Sequence, residues 1–160
     1  MALEATPAST ASDGRWRIAY SELADDPLSA ADLVDDVTYS FTADGFDWQI
    51  TQDTAEDKRL TMIQNLERPG RKKETLTVTY VASSTAGSAD VLFTEGLEGH
   101  LTVRRGVDAA TAWTAAQKAD VITFKAGAKR PNAPVENGVD TISQQLFITS
   151  PTVQGASITA

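Results

Sequence analysis

The chain has 160 residues, one histidine and no cysteine, and those two counts set most of what catalysis it can carry. Without cysteine there is no thiolate nucleophile, no thiolate metal site and no disulfide framework. A Ser-His-Asp triad would have to use His100, and a metal site built on several histidines is excluded. His100 stands beside Gly99 at the opening of an alternating segment, where a structural or surface histidine is the expectation. A small hydrolase pairing His100 with a carboxylate is the enzymatic alternative. Asp25-Asp26 and Asp35-Asp36 offer carboxylate oxygens to a divalent cation, but no EF-hand spacing accompanies them, so solvated acidic loops are expected. Gly96-Leu97-Glu98-Gly99 has the glycine spacing of neither a dinucleotide loop nor a Walker loop. Arg68, Arg71, Lys72 and Lys73 could meet phosphate. Glu67 and Glu74 flank them, however, and no aromatic residue interleaves to stack on bases, so a salt-bridging surface loop is expected there. No catalytic residue, cofactor or metal site is assigned, and no enzyme activity is expected.

Charge is distributed unevenly. Residues 1–57 carry thirteen Asp/Glu against Arg15 and Arg17, a balance of −11, while residues 58–160 carry twelve Lys/Arg against nine Asp/Glu, a balance of +3. A subunit acidic in one region and basic in another attracts copies of itself head to tail. The acidic total of −8 argues against a protein that grips nucleic acid. No stretch approaches the roughly 20 apolar residues of a membrane span. The first residues lack the basic cap and apolar run of a signal peptide, so a soluble protein made in a cytoplasm is expected.

Many short alternating segments must position these residues. At this length one domain is expected, burying roughly 70% of the extended-chain surface. Residues 1–14 are small and polar and read as a flexible arm, leaving a β-domain over 15–160. Leu60–Leu66 and Thr75–Val81 read as a long hairpin turned by Pro69-Gly70. In its second strand Leu76, Val78 and Tyr80 share an apolar face, and Thr75, Thr77 and Thr79 a wet one. Further strands are expected over Arg15–Tyr20, Val37–Phe41, Phe46–Thr51, Gly99–Gly106, Val121–Ala126, Gln144–Thr149 and Thr152–Thr159. Thr42-Ala43-Asp44-Gly45 reads as a reversing turn, Gln52–Arg59 as a charged loop and Lys129–Gly138 as a loop. Ser29–Val34 offers at most a helical turn, and Ala109–Ala119 is either a turn or a short helix. Ser88 is placed to cap a short helix over Ala89–Glu95 that Gly96 ends. The fold class is mainly β: a β-sandwich or partial barrel with one short helix. Trp48 reads as core. A monomeric β-sandwich with Trp16, Trp48 and Trp113 as an aromatic platform for a carbohydrate or cell-surface receptor is the alternative to a self-assembling subunit.

Several motifs, in order from about Arg15 to the C-terminus, resemble the tail-tube (major tail) proteins of long non-contractile-tailed phages. They are Phe41-Thr42-Ala43-Asp44-Gly45-Phe46, then Glu67-Arg68-Pro69-Gly70-Arg71 leading into Leu76–Val81. Glu95–Gly106 and Gln144–Pro151 follow. Asp47-Trp48-Gln49 departs from that pattern, where a more variable polar stretch is expected, and the N-terminal arm matches only in being small and polar.

The resemblance implies a structural virion protein with no cofactor and no membrane association. Its copies would form six-membered rings, their sheets joining into one large barrel, and the rings would stack into a tube through which the genome is delivered. Partners implied are other copies, the tape-measure protein, and tail-terminator and tip proteins, with DNA passing through the lumen without specific binding. Ring-stacking candidates are Asp53, Glu56, Asp57, Arg59, Arg68, Arg71, Lys72 and Lys73, with the N-terminal arm. Lumen-face candidates are Asp47, Gln49, Thr51, Thr75, Thr77 and Thr79, because a wet sheet face can line a water-filled hole.

Overall fold

The computed structural model describes residues 5–160; residues 1–4 of the expected N-terminal arm lie outside the described residues. Among the described residues eight strands run in chain order: β1 (Trp16–Glu22), β2 (Asp35–Asp36), β3 (Phe41–Asp57), β4 (Leu66–Val81), β5 (Glu98–Arg105), β6 (Lys118–Pro131), β7 (Thr141–Ile148) and β8 (Val153–Ser157). One helical turn, α1 (Ala89–Leu92), joins β4 to β5. The strands form a single curled, half-barrel sheet in the order β2-β1-β5-β6-β7-β4-β3, with β8 added on β6. Strands take 51% of the chain and helix 4%, so the mainly β expectation holds, in its partial-barrel form.

Alternation decides which face is dry. Leu76, Val78 and Tyr80 of β4 are buried, as are Leu101 and Val103 of β5, Ile122, Phe124 and Ala126 of β6, and Leu146 of β7. The short helix cannot hold itself by propensity. It is held by burial of Ala89 and of Phe93, whose ring meets Tyr20, Phe41, Tyr80 and Phe124 at centroid distances of 5.7–6.3 Å. Ser88 occupies the expected cap position, but its side chain makes no cap bond. The Ala89 amide instead donates to Ser40 Oγ at 3.0 Å, a long-range partner that local sequence could not announce. A second, smaller cluster of Ala19, Leu33, Trp113, Ala119 and Ile158 lies apart from the first.

The hairpin is longer than expected and displaced. Its strands are β3 and β4, and its turn lies within 58–65, so most of Leu60–Leu66 is connection rather than strand. The expected loops Gln52–Arg59 and Glu67–Glu74 are almost wholly strand. The expected reversal at Thr42–Gly45 is a bulge inside β3: between Phe41↔Tyr80 and Phe46↔Val78, β3 advances five residues while β4 advances two. Gly45 is required there, because a Cβ would stand 2.1 Å from the Thr79 carbonyl oxygen. The expected strand Val37–Phe41 is mostly a 3-10 turn over Thr38–Ser40. Asp36 Oδ1 accepts from the Thr38 amide at 2.9 Å and hydroxyl at 2.5 Å, a local alternative to a strand ladder. Ser29–Val34 forms turns rather than a helix, and so does 109–117. β6 continues to Pro131, shortening the expected 129–138 loop.

Candidate assembly surface

β4 pairs with β7 only from Leu76 to Val81, so from Glu74 outward β3 and β4 have only each other as ladder partners, with Thr152 Oγ1 donating to the Glu74 carboxylate at the base. Nearly every residue of 50–57 and 66–73 is exposed. The result is a two-stranded ribbon reaching roughly 25 Å beyond the core, at about 3.3 Å per residue. Such a ribbon is marginal by itself, and β7 anchors its base. Pro69 is tolerated because a strand paired on one side only forfeits at most one ladder bond. Beside it the register slips between Gln52 and Thr54, and a Cβ on Gly70 would stand 2.7 Å from Asp53 O. Pro69-Gly70, expected to turn the chain, thus marks a bulge instead.

The structure brings the ring-stacking candidates together along this ribbon. Asp57 accepts from Arg59 and from Arg68, each at 3.2 Å. Glu56 faces Glu67 across the ladder and meets Lys58 Nζ at 2.6 Å. Asp53 sits at the bulge. Arg71, Lys72 and Lys73 make no ion pair among the described residues, leaving three exposed cations on the ribbon.

The lumen-face candidates share one face. Register sets Asp47 against Thr77, Gln49 against Thr75 and Thr51 against Lys73, then Thr77 against Gln145 and Thr79 against Ser143. Gln49 Nε2 donates to Asp47 at 3.2 Å, and Thr79 Oγ lies 3.0 Å from Ser143 Oγ. Gln145 and Ser143 extend this polar face, as does Lys125 of β6, which meets Glu98 at 3.3 Å. The sequence reading missed those four. The signal was available, since the face skips Gln144 and Leu146 in the same period of two.

Gln144 itself is buried at 1% exposure. Its Oε1 accepts from the Tyr80 hydroxyl at 2.9 Å, and its Nε2 donates to the carbonyls of Gly127 at 2.8 Å and Phe93 at 3.2 Å. It satisfies the carbonyl freed by the β6 bulge between Ala126 and Lys129 and ties the segment after α1 to the base of the ribbon. Burial pushes the Tyr80 hydroxyl well above its ordinary value of 10.0, so it stays a donor. Beside it Lys129 Nζ meets Asp90 Oδ1 at 2.9 Å and the Asp90 carbonyl. That hydrogen bond holds the Asp90 carboxyl below its usual range, against a smaller opposing effect of burial.

At the other end Arg104 is fully buried without a carboxylate. Its guanidinium donates to the carbonyls of Ala112, Asp108 and Thr111 and to Gln117 Oε1 at 2.8–3.1 Å, and lies 4.9 Å from the centre of the Trp113 ring. This cage orders 106–117 as turns.

The remaining candidates are not gathered into a site. His100 Nδ1 lies 2.9 Å from Thr123 Oγ1 and Nε2 lies 3.4 Å from the Leu23 carbonyl, so neither ring nitrogen meets the carboxylate a triad needs. Asp36 is paired with Arg17 at 2.6 Å, while Asp25 and Asp26 accept from the Glu22 and Leu28 amides. Among the described residues no group of three potential metal ligands converges. Trp16 and Trp48 pack on the main cluster and Trp113 in the other, so the tryptophans form no common platform. Among the described residues no helix is long and apolar enough to cross a membrane.

A family model described as phage tail tube protein matches residues 5–160. No curated protein matches. Among solved structures the fold is similar to a sheath/tube terminator of an extracellular contractile injection system (PVC), seen by cryo-EM in the extended state. The TM-score is 0.60 at 13% identity, covering 97% of this chain and 100% of that one.

Proposed function

The chain belongs to the phage tail tube protein family, and from that premise we propose that its copies join sheet edge to sheet edge into six-membered rings that stack into a hollow tube. Its role is that of a structural component of the virion. The observation that carries the proposal is the unfinished sheet. β3, at 17 residues the longest strand, pairs on one side only, with β4. At the opposite margin the two-residue β2 covers only Ala19 and Tyr20 of β1. Bare edges are templates for another strand, and closing a ring removes them.

In this reading the face bearing Asp47, Gln49, Thr51, Thr75, Thr77 and Thr79 lines the lumen. Hydroxyls, amides and the Asp47 carboxylate there keep the wall wet, and Asp47 and Glu98 accompany the cations Lys73 and Lys125 on the same face, so DNA meets no purely cationic surface and slides past it during delivery. The tape-measure protein occupies the hole beforehand, and terminator and tip proteins close the ends. The ribbon, with Asp53, Glu56, Asp57, Arg59, Arg68, Arg71, Lys72 and Lys73, reaches the next ring.

Negative-stain electron microscopy of the purified protein tests this. Rings or hollow rods are expected. A compact lone particle under every assembly condition, with no strand joined to a neighbour's, would overturn it.

A further inference from the structure

β1 and β3 stand near opposite ends of the strand order, yet the half-barrel curls until the Trp16 and Phe46 ring centres are 6.0 Å apart. Beside this seam lies a groove of about 520 Å³. That is within the roughly 300–1,000 Å³ of sites for small ligands. Trp16, Tyr39, Phe41 and Phe46 all line it. In a regular strand Phe41 and Phe46, an odd number of residues apart, would point to opposite faces. The bulge between them brings both to one side, where their rings meet edge-on at 5.9 Å. Tyr39 is 85% exposed and forms the lip.

Asp13 is the sole formally charged side chain of the lining, and it makes no ion pair among the described residues. Its turn is fixed in place. The Arg15 amide donates to the Ser12 carbonyl at 3.2 Å and the Ala109 amide to the Gly14 carbonyl at 2.8 Å. An anion would find no Lys or Arg in the lining. A neutral apolar molecule would strip water from the carboxylate and return nothing. A sugar needs several free hydrogen-bonding groups, and two of the lining hydroxyls are already engaged. Thr38 Oγ1 is bonded to Asp36 and to the Ile18 backbone, and Thr42 Oγ1 donates to the Thr79 carbonyl at 3.4 Å. A cation with apolar substituents suits both features, since aromatic faces and a carboxylate attract it together. Trp16 already takes one such partner. The Arg105 guanidinium lies 5.6 Å from its ring centre, outside the lining and paired with Asp120 at 2.5 Å.

We infer that this groove binds a small quaternary or alkylated ammonium ion, its substituents against Trp16, Tyr39, Phe41 and Phe46 and its charge toward Asp13. The site stands independently of the tail-tube reading. Aromatic contact supplies the affinity, and the carboxylate supplies the preference for a cation over a neutral molecule of equal shape.

Choline and dimethylbutanol, the same shape with carbon in place of the charged nitrogen, separate the two contributions. Saturation-transfer difference NMR reads both on the purified protein, whether it is a free subunit or a rod. Choline should bind saturably and about threefold or more tighter than dimethylbutanol, a margin within reach of an exposed cation–π contact. Tyr39→Ala and Asp13→Asn change exposed side chains and should melt like the parent. The first should weaken choline severalfold, and the second should erase most of its advantage over dimethylbutanol. Equal binding of the two probes, choline affinity indifferent to either substitution, or no saturable choline binding would each overturn the site. Methyl glucoside binding where choline does not would assign the groove to sugars instead.

Discussion

Glu56 of β3 lies directly across the ladder from Glu67 of β4, two like charges in register on a ribbon held by little else. Only Lys58, 2.6 Å from Glu56, offsets them. Cross-strand like charges destabilise, and opposite pairs contribute about 0.2–1 kcal/mol. Glu67→Gln should therefore raise the urea midpoint slightly, within about 1 kcal/mol, and the gain should shrink in 1 M salt.

Gly70→Ala probes the ribbon without touching the core. Its Cβ would stand 2.7 Å from Asp53 O, so the bulge must open and the tip swing. Thermal unfolding of the subunit should change little, because the core lies elsewhere. Rod yield should fall severalfold by electron microscopy. Unchanged rods would show that the bulge does not aim the ribbon.

Reversing Arg71, Lys72 and Lys73 to Glu removes three cations that have no internal partner among the described residues. The monomer should keep its far-ultraviolet circular dichroism, and stacking should be blocked. Rods of normal length from this variant would mean that the basic stretch makes no inter-ring contact.

Gln144→Leu tests the buried network. It strips the partners from the Tyr80 hydroxyl and from the Gly127 and Phe93 carbonyls. Orphaned buried polar groups cost about 1–3 kcal/mol each, so a loss above about 2 kcal/mol is expected in urea unfolding. Tyr80→Phe leaves one acceptor short and should cost less.

Acid should loosen the clasp between Asp90 and Lys129. A carboxyl held below its unfolded value stabilises fully above about pH 4. That contribution is lost as pH falls through the lower folded value. The difference in urea midpoint between pH 7 and pH 3 should shrink in Asp90→Asn, which has no such carboxyl to titrate.

Alternation in the sequence was enough to place the dry face of β4 and the strands around His100 and Phe124, because side-chain period follows burial directly. It also placed Asp47, Gln49 and the threonines on one face. Reading failed where the deciding partner was distant. Pro69-Gly70 looks like a turn because the sequence cannot say that β4 is unpaired on one side there. Leu60–Leu66 looks like a strand of the hairpin because hydropathy does not report exposure. Thr42–Gly45 looks like a reversal, since nothing local reveals that Thr79 presses against Gly45. Gln144 is polar and yet at the centre, for its three partners come from three separate segments.

Arg104 gives the subunit two unequal ends. Its positive charge is balanced by peptide and amide oxygens, none of which takes up a proton at ordinary acidity. The bonds of this guanidinium are therefore deaf to acid, although Arg17 beside them is held by Asp36, whereas α1 is fastened directly by a carboxylate and listens to it. On acidification the clasp at α1 should loosen while the bonds made by the Arg104 guanidinium itself remain.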